Sequence, residues 1–440
     1  MGKDDFINLF NMLDISKKEL LSLARETGFI ERTRKIDSLD FMYALAMESM
    51  HGIASYNDIA VSIENDNGTT ISRQAIWKKV TESCVDYFQQ VLELVILSKV
   101  NVKKYLPDME IAKCKFRRVL IQDSTIVKLP KRLFESFSGV SNGSSKVCNA
   151  RIQGVYDLLT GRFISFSINP YSKNDHSSAS EMEIQKDDLT LRDRGYLSVD
   201  ELKRHLLNSA HCIYRHKIHL QLLDYDTEKS LDLLSILRKN GSIDIVVKLN
   251  DKERTVVRLV AKPVDQETAN NRRMKAKKEM KGHKPGKLFL ELQSWSIFIT
   301  TIPPDQADFN TLLKIYGLRW RIETIFKSWK SNLHFDYIHN VSNYQLIIIL
   351  LARMIMFLII TQIIYTPCNK LVSMHMDRNI SLLKLTKYLN RNPIKLESLL
   401  NDLKNYPGIL TQSINIIARF CAYEKRNRLN FDQKIRALYT

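Results

Sequence analysis

The alternation of apolar and polar positions divides the chain into a helical beginning, a middle of mixed strands and helices, and a helical end. Up to about residue 115, apolar residues recur every three or four positions, which predicts helices. These helices cover residues 16–25, 37–50, 56–64 and about 72–100. From residue 116, short apolar runs rich in branched residues predict strands that alternate with helices. The pattern therefore indicates an α/β fold with helical regions at both ends.

Asp123 lies inside one of these apolar runs, RRVLIQDSTIVKL. A run of this kind is typical of a buried strand. A carboxylate inside it needs a partner or a metal ion, because an unpaired buried charge is costly. We therefore interpret Asp123 as a functional acid. The alternative is an aspartate on an edge strand that faces water.

A second acid, Asp193, follows a predicted strand end at residues 189–191. Ser198 and Glu201 then form a predicted capping box that starts the next helix. Ligands of open α/β sheets usually bind at the carboxyl ends of strands, so Asp193 is the second candidate acid. Taken alone, it fits a loop or cap position equally well.

Two further elements are predicted between these acids. The run ARIQGVYDLLTGRFISFSI predicts a hairpin that turns at Thr160 and Gly161. Asp157 lies beside this turn, where a solvated aspartate is expected. A helix is predicted over residues 177–185.

Residues 218–304 contain several strand-like runs and a segment dense in basic residues, in which Glu279 is the only acid. The pattern predicts a solvated hairpin tip that grips the DNA backbone, because such a density of positive charge binds phosphates. The basic residues of this predicted finger are Arg272, Arg273, Lys275, Lys277, Lys278, Lys281, Lys284 and Lys287.

The segment from Lys314 to Lys330, KIYGLRWRIETIFKSWK, predicts a helix with one apolar face. At about 100° per residue, Tyr316, Arg319, Glu323 and Lys330 fall within an arc of about 60°. The helix therefore presents a single carboxylate among two cations and a phenol. The alternative is a solvated face whose charges support the helix at a spacing of four residues.

Residues 345–365 form an apolar run that is long enough to span a bilayer. Arg353 stands in its middle, and a central arginine costs at least about 2.5 kcal/mol on membrane-insertion scales. We therefore predict a buried helix packed against the sheet, and no membrane segment. A membrane-anchored basic protein is the alternative that this run alone supports.

The net charge of +18 and the isoelectric point near 9.5 point to a polyanionic partner such as nucleic acid. The six cysteines form no CxxC or Cys/His cluster, which indicates neither a zinc site nor a disulfide framework. A reducing cytoplasm follows. The first residues lack the apolar run of a secretory signal.

The turn at residues 65–68 and the run TTISRQAIWKKV that follows it resemble the turn and second helix of a helix-turn-helix. Arg73, Gln74, Lys78 and Lys79 lie on or near the exposed side of that helix. An ordinary helical hairpin explains the pattern equally well.

The spacing Tyr-x2-Arg-x3-Glu-x6-Lys between Tyr316 and Lys330 resembles the Tyr-Arg-Glu-Lys signature of one branch of bacterial insertion-sequence transposases. These are DDE enzymes with a ribonuclease-H-like core. QDST at 122–125 looks like the first acidic motif of that family, and LRDRGY at 191–196 looks like the second. The resemblance implies an α/β fold whose ribonuclease-H-like mixed sheet has flanking helices and is interrupted by a β-rich insertion.

The same resemblance suggests how the chain is divided. The expected regions are a helical DNA-binding region at 1–115, the first part of the catalytic core at 116–217, the insertion with its basic finger at 218–304, the second part of the core at 305–370 and a C-terminal helical region at 371–440.

In the family that the chain resembles, three acids bind the metal ions, and Asp123, Asp193 and Glu323 match them. Three carboxylates without a histidine or thiolate cluster suit two Mg²⁺ or Mn²⁺ ions better than Zn²⁺. The implied reaction is cut-and-paste transposition by two-metal-ion phosphoryl transfer, with end nicking, hairpin formation and strand transfer.

The remaining residues of the third motif, Tyr316, Arg319 and Lys330, match those that hold backbone phosphates in the family. The implied partners are double-stranded DNA, as terminal inverted repeats and target DNA, and a second copy of the chain in a homodimer on paired ends. The implied location is the bacterial cytoplasm. The apolar positions of helices after about residue 378 either face this second copy or complete the core of their own subunit.

Two further functions stay open. A metal-dependent nuclease of the same fold would keep the three acids and release DNA ends without inserting them. A catalytically silent DNA-binding protein derived from a transposase would keep the basic surfaces only, and three candidate acids argue against it.

Overall fold

A computed structural model describes residues 2–32, 34–98, 116–139, 147–279, 284–392, 394–405 and 410–424. Lys281, the boundary expected near residue 115 and the basic C-terminal end lie outside these ranges. The chain divides into two compact units, each built from distant segments. Unit 1 contains residues 1–109, 124–173 and 321–432, and unit 2 contains residues 110–123, 174–320 and 433–440.

The helices and strands of the described residues are numbered in chain order. The helices are α1 (Lys3–Asn11), α2 (Lys17–Glu26), α3 (Ser38–Met50), α4 (Tyr56–Asn67), α5 (Arg73–Lys79), α6 (Glu82–Leu97), α7 (Asp175–Ser178), α8 (Val199–Leu207), α9 (Leu233–Asn240), α10 (Gln266–Glu279), α11 (Lys287–Leu292), α12 (Phe309–Gly317), α13 (Trp320–Asn332), α14 (Asn343–Ile359), α15 (Thr366–Met376), α16 (Leu382–Arg391), α17 (Ile394–Asn405) and α18 (Gln412–Cys421). The strands are β1 (Arg118–Lys128), β2 (Asn149–Asp157), β3 (Arg162–Pro170), β4 (Asp188–Arg192), β5 (His211–Arg215), β6 (Leu222–Asp224), β7 (Ile243–Leu249), β8 (Val256–Pro263) and β9 (Trp295–Thr300).

Helices α2, α3 and α4 of unit 1 each begin after a residue whose side chain caps the first turn. Side-chain oxygens of Ser16, Asp37 and Ser55 accept backbone N–H groups in the first turns of α2, α3 and α4. The single long helix predicted over 72–100 is wrong. Val80 leaves the helical conformation with ψ at 80°, and Thr81 in extended conformation precedes a new helix, so α5 and α6 are separate.

In unit 1, β2 and β3 form the predicted antiparallel hairpin, with the last part of β1 next to β2. Gly161 takes a φ of 68° in the turn, a conformation that favours glycine. The expected solvated position of Asp157 is wrong. Its carboxylate is buried, and it accepts the Leu159 N–H and the Thr160 hydroxyl, which closes the turn.

Helix α13 packs its apolar face on this hairpin and on α14. The ring of Trp329 is fully buried, stacks on Phe335 at 4.8 Å and meets Phe357 edge-on at 5.2 Å. Gly154 of β2 lets the elements approach closely. A Cβ atom there would lie 3.0 Å from the Phe163 ring and 3.3 Å from the Phe326 ring.

The apolar run at 345–365 is a core helix of unit 1, as predicted. By length and composition alone, one helical stretch of the described residues, Asn343–Met376, could cross a membrane, and 94% of its most apolar window is buried inside the protein. The guanidinium of Arg353 donates to the backbone carbonyls of Ser49 and Gly52, each at 2.9 Å, and of His334 at 2.6 Å. These acceptors explain how an arginine is tolerated in an apolar core.

Most apolar side chains of α16, α17 and α18 that the structure describes are buried within unit 1, which favours the alternative in which these helices complete the core of their own subunit; Phe420 is exposed. The buried residues concerned are Leu382, Leu385, Leu389, Leu399, Leu400, Leu403, Ile414 and Ile417.

The sheet of unit 2 has the strand order β1-β4-β5-β9-β8-β7-β6, and the division between the units falls inside β1, after Asp123. Strands β1, β4 and β5 are parallel, and the others pair antiparallel. The strands of the predicted β-rich insertion therefore continue the sheet that carries the first acid. A mixed sheet with flanking helices, as predicted, is confirmed.

Two predicted elements of unit 2 differ from those observed. The helix expected over 177–185 is reduced to α7 and one short turn at residues 179–181. The basic segment expected as a hairpin tip is helical from Gln266 to Glu279 as α10. Its residues are mostly strong helix formers, which explains the helix.

Candidate active site

Strands β1 and β4 of unit 2 pair in parallel with Gln122 opposite Arg192. Asp123 and Asp193 are the next residues along the two strands. The backbone of Asp193 is still extended, with φ −71° and ψ 161°. Neighbouring strands lie about 4.8 Å apart, so the two acids occupy adjacent positions at the same level of the sheet.

The register of this strand pair is fixed at its other end by an ion pair. Arg118 lies opposite Asp188, and its guanidinium donates to both carboxylate oxygens, at 2.9 Å and 2.5 Å. Asp188 is fully buried and also accepts the Gln185 N–H at 2.8 Å. A slip of one residue would leave the buried Asp188 carboxylate without this partner, which is costly.

The side chains next to the two acids form hydrogen bonds on one face of the sheet, and the acids lie on the other face. Gln122 donates to the carbonyl of Ser178 at 3.1 Å, and Arg192 donates to the carbonyl of Ala179 at 3.1 Å. Because successive side chains of a strand alternate between faces, Asp123 and Asp193 point to the opposite side. The acids are thus separated from the buried polar contacts that hold their strands.

The third motif is interrupted where a continuous helix over 314–330 is predicted, and that prediction is wrong at this point. Helix α12 ends at Gly317 and α13 begins at Trp320. The N–H groups of Leu318 and Arg319 donate to carbonyls three residues earlier, at 2.9 Å and 3.1 Å, which makes a tight turn. Glycine is a weak helix former, so a break at this place is reasonable. The arc of 60° calculated for a straight helix does not apply across it.

Arg319 emerges from this turn next to the first acid. Its Nη1 lies 3.7 Å from Oδ2 of Asp123, and the Arg319 side chain is mostly buried. The guanidinium also lies over the rings of Trp320 and Tyr316, at 5.5 Å and 5.8 Å from their centres. Unit 2 therefore brings together Asp123, Asp193, Tyr316 and Arg319.

Tyr316 contacts the strand of the second acid. Its hydroxyl donates to the carbonyl of Arg192 at 3.4 Å, and the residue is buried. Burial raises the pKa of the Tyr316 hydroxyl, an effect that the positive charge of Arg319 opposes and the negative charge of Asp193 reinforces. The hydroxyl is therefore a neutral donor at physiological pH.

Glu323 and Lys330 lie on α13 in unit 1. Both are partly buried beside an apolar face made by Ile322, Phe326 and Trp329. Burial lowers the pKa of Lys330. Within the part of the chain that the structure describes, no three His, Cys, Asp or Glu side chains form a group able to hold a metal ion.

The predicted basic finger contains two kinds of residue. Arg272 donates to the Trp295 carbonyl at 3.1 Å, and Arg273 donates to the Leu290 carbonyl at 3.1 Å. Both side chains therefore hold α10 against the rest of unit 2. Three lysines of the same helix are exposed to solvent. They are Lys275, Lys277 and Lys278.

The N-terminal helices form a basic cleft that sequence analysis recognised only in part. Its volume is about 830 Å³, and its basic residues come from α5 and from the segment before α3. They are Arg32, Arg34, Lys35, Lys78 and Lys79. Burial lowers the pKa of Lys79, and the nearby charge of Arg34 adds to that effect. The run ERTRK at 31–35 was the signal that could have revealed this cleft.

Helices α4 and α5 follow each other across a short turn, which fits the predicted helix-turn-helix and an ordinary helical hairpin alike. Helix α4 ends at Gly68 in the left-handed conformation with φ 71°, and Ser72 caps α5. On the outer side of α5, Arg73 and Gln74 are exposed beside Trp77, whose side chain is 58% exposed.

The chain is similar to a known protein family and to several known proteins. Residues 115–356 match the family described as transposase DDE domain. The chain is 25% identical over 355 residues to the transposase for insertion sequence element IS231F of Bacillus thuringiensis subsp. israelensis, which covers 74% of this chain and 73% of that protein. It is 26% identical over 395 residues to the transposase for insertion sequence element IS1151 of Clostridium perfringens. This alignment covers 83% of this chain and 82% of that protein. With the putative transposase InsL for IS186A of Escherichia coli (strain K12), the identity is 23%, over 72% of this chain and 83% of that protein.

Proposed function

Because the chain belongs to the family of the transposase DDE domain, we propose that it moves an insertion sequence by cut-and-paste DNA transposition. The observation that carries this proposal is the register of β1 and β4, which leaves Asp123 and Asp193 at adjacent positions. Arg319 of the third motif lies against the first of these acids. Two neighbouring acids beside a phosphate-binding cation suit phosphoryl transfer.

Asp123, Asp193 and Glu323 are the residues that would hold the divalent ions on which this family depends. They offer only carboxylate oxygens, which are the ligands that Mg²⁺ and Mn²⁺ prefer. Asp123 and Asp193 fit such ions by their adjacent positions, and Glu323 is assigned by its place in the third motif. Two bound ions supply an activated water or 3′-hydroxyl and a stabilised leaving oxygen.

The chain's own cations hold the DNA backbone. Arg319 presents a planar guanidinium that matches a phosphate in geometry and charge. Lys330 adds a second cation from α13. Tyr316 is assigned to the DNA backbone by its place in the third motif, and its hydroxyl donates to the backbone carbonyl of Arg192. These residues orient the scissile phosphate, and orientation is a large part of catalysis in phosphoryl transfer.

The proposed reaction has four stages on DNA. Water first cleaves one strand at the end of the element and leaves a free 3′-hydroxyl. This hydroxyl then attacks the opposite strand, which forms a hairpin and releases the flanking DNA. The hairpin is reopened by water, and the 3′-hydroxyl attacks the target strand. Each stage exchanges one oxygen substituent on phosphorus for another, so no covalent protein nucleophile is needed.

We also assign the binding of the DNA ends to two surfaces. In unit 1, Arg73 and Gln74 of α5 have the side chains that read guanine and adenine edges in a major groove. The basic cleft beside them binds the backbone. In unit 2, the exposed lysines of α10 add contacts that do not depend on sequence.

The proposed assembly is a homodimer that holds two terminal inverted repeats together with the target DNA. One set of acids processes one end at a time, and excision requires two ends, so two subunits are needed. The proposed location is the bacterial cytoplasm, where the DNA lies.

The experiment that tests the function is incubation of the full-length protein with Mg²⁺ and labelled duplexes that carry the terminal repeats flanking its coding sequence. We expect nicked ends, hairpins and then joined products in a target plasmid. Released ends without joined products would identify a nuclease instead. Binding without cleavage would identify a silent DNA-binding protein.

A further inference from the structure

Arg192 is fully buried in unit 2, one residue before Asp193. Its Nη1 donates to the carboxylate of Glu201 at 2.6 Å and to the hydroxyl of Tyr214 at 3.2 Å. Its Nη2 donates to the carbonyl of Ala179 at 3.1 Å. Arginine is almost never fully buried unless it is paired, and here its partners come from α8, from β5 and from the segment after α7.

Glu201 is the acid that supports this arginine, and the predicted capping box did not reveal that role. The hydroxyl of Ser198 accepts the Glu201 N–H at 3.2 Å, as in a capping box. The Glu201 carboxylate, however, accepts from Arg192 and from Arg204, the latter at 2.9 Å. Arg204 also donates to the Ala179 carbonyl, at 2.8 Å. The two arginines therefore share two acceptors.

Both strands that carry an acid are tied to the same short segment. Gln122 and Arg192 lie opposite each other in the register of β1 and β4. They donate to the consecutive carbonyls of Ser178 and Ala179. Any shift of β4 along β1 would break one of these bonds, and Asp123 and Asp193 would no longer lie at the same level.

The chain on either side of Asp193 is held as well. Before it, the carbonyl of Arg192 accepts the Tyr316 hydroxyl. After it, Lys217 donates to the carbonyl of Leu197 at 2.9 Å. Three side chains, those of Tyr316, Lys217 and Arg192, therefore hold the backbone on either side of the second acid. Of these, the Arg192 guanidinium holds it from inside the core.

A buried ion pair is a poor choice for stability alone, since apolar side chains of similar volume often stabilise a protein equally well. We infer that Arg192 is a positioning residue, whose buried guanidinium holds the end of β4 so that Asp193 and Asp123 can bind the same metal ions. The inference rests on the proposed function, because it concerns the acids assigned there. It adds a residue that lies on the opposite face of the sheet from those acids.

The test compares Arg192→Met with Arg204→Met in the full-length protein. Both substitutions remove one positive charge from the same cluster, and in both the other arginine still pairs with Glu201. Only Arg192 belongs to a strand that carries an acid. The primary measurement is the binding of Mn²⁺, followed through the electron paramagnetic resonance signal of the free ion, with a duplex of the terminal repeat present. Thermal unfolding and duplex affinity are measured on the same samples.

We expect Arg192→Met to weaken Mn²⁺ binding by about 10- to 100-fold, the usual effect of losing a residue that orients metal ligands. Duplex affinity should be unchanged, and Arg204→Met should bind Mn²⁺ like the unaltered protein. Equal Mn²⁺ binding by both variants and the unaltered protein would overturn the inference, and so would equal losses in both variants.

Three further variants keep the result interpretable. If Arg192→Met does not fold, Arg192→Lys retains the charge but cannot reach Glu201 and Ala179 with one planar group, and it should show a smaller loss of Mn²⁺ affinity. Unchanged affinity in Arg192→Lys would then overturn the inference. Asp123→Ala and Asp193→Ala test the proposed metal ligands independently of Arg192. If these variants bind Mn²⁺ normally, the metal assignment of the proposed function is wrong, whatever Arg192 does.

Discussion

The guanidinium of Arg319 lies 3.7 Å from the carboxylate of Asp123, so a cation of the third motif neighbours the acid of the first. This separation is longer than a normal hydrogen bond, and the pair is an ionic contact rather than a tight bridge. Arg319 is held by the neighbouring aromatic rings rather than by the acid alone. A phosphate bound near Asp123 would therefore meet a guanidinium that is already in position.

The first prediction concerns the three proposed metal ligands. We expect Asp123→Ala, Asp193→Ala and Glu323→Ala each to bind the terminal repeats nearly normally and to lose nicking, because loss of one ligand disrupts the pair of metal ions. Gel shift and cleavage assays with Mg²⁺ measure the two properties separately. Asp200→Ala, which removes an exposed acid of α8, is the control and should cleave normally. A variant of the three that still cuts at the normal rate would leave the proposed set.

The second prediction separates phosphate contacts from ordinary surface charge. Arg319→Ala and Lys330→Ala should each reduce the slope of log affinity against log salt concentration by about 0.9, the value for one lost phosphate contact. Binding of cleaved ends is measured at several salt concentrations.

Lys327 provides the matched control for this experiment, because it is an exposed lysine on the same helix as Lys330. Lys327→Ala should leave the salt slope unchanged. If Arg319→Ala and Lys330→Ala behave like this control, the polar residues of the third motif form a solvated face and not a phosphate clamp.

Much of the candidate site could be predicted from local sequence. Asp123 lies inside a run rich in branched apolar residues, and Asp193 follows a strand before a turn and a capped helix, so hydrophobic pattern and turn chemistry predict the places of both acids in the fold. Their proposed role comes from the resemblance to the family. The break at residues 318–319 could not be found from hydrophobic pattern. Its apolar positions continue at helical spacing on both sides, and only Gly317 indicates that the helix ends there.

The third prediction follows from the two kinds of residue on α10. Replacement of Lys275, Lys277 and Lys278 together by glutamine should lower affinity for all DNA sequences alike, because lysines on phosphates do not read bases. Arg272→Ala should instead lower the thermal stability of the protein, since this side chain holds the helix to the Trp295 carbonyl. Competition between terminal-repeat and random duplexes measures discrimination. A loss of discrimination in the triple variant would mean that α10 reads bases.

Tertiary contacts explain the other differences between sequence and structure. The basic segment of α10 is rich in helix formers, and its composition indicated a helix more strongly than a hairpin tip. The spacing of Ser198 and Glu201 predicts only a helix cap for Glu201. Its partner Arg192 lies on a neighbouring strand, and spacing along one helix does not reveal such a partner. The cleft of Arg34 and Lys79 likewise joins segments that are distant in sequence.

The fourth prediction is a pH dependence of stability. His205 is fully buried, with Nε2 2.7 Å from the Thr190 hydroxyl and Nδ1 2.6 Å from the Glu201 carbonyl. Burial lowers its pKa from 6.5 to about 4, and the charge of Arg192 contributes. Between these values the unfolded chain binds a proton that the folded chain does not. Stability is therefore complete above pH 6.5 and falls as the pH decreases towards 4, by up to about 3 kcal/mol for this residue.

Urea unfolding of the unaltered protein and of His205→Gln across this pH range measures the contribution. The substitution should flatten the pH dependence, although His216, whose pKa burial also lowers to about 4, still contributes. An identical slope in both proteins would show that His205 takes up its proton in the folded state as readily as in the unfolded chain.

The last prediction concerns assembly. Leu385, Leu399 and Ile414 of the C-terminal helices are buried within unit 1, so these helices contribute to its core. We expect truncation after residue 375 to lower the melting temperature or prevent folding. Stoichiometry must therefore be measured on the full-length protein, by light scattering with paired end fragments, where two subunits and two ends are expected. A particle with one subunit per end that still excises the element would contradict the homodimer. A truncated protein that melts like the full-length chain would contradict the assignment of these helices to the core.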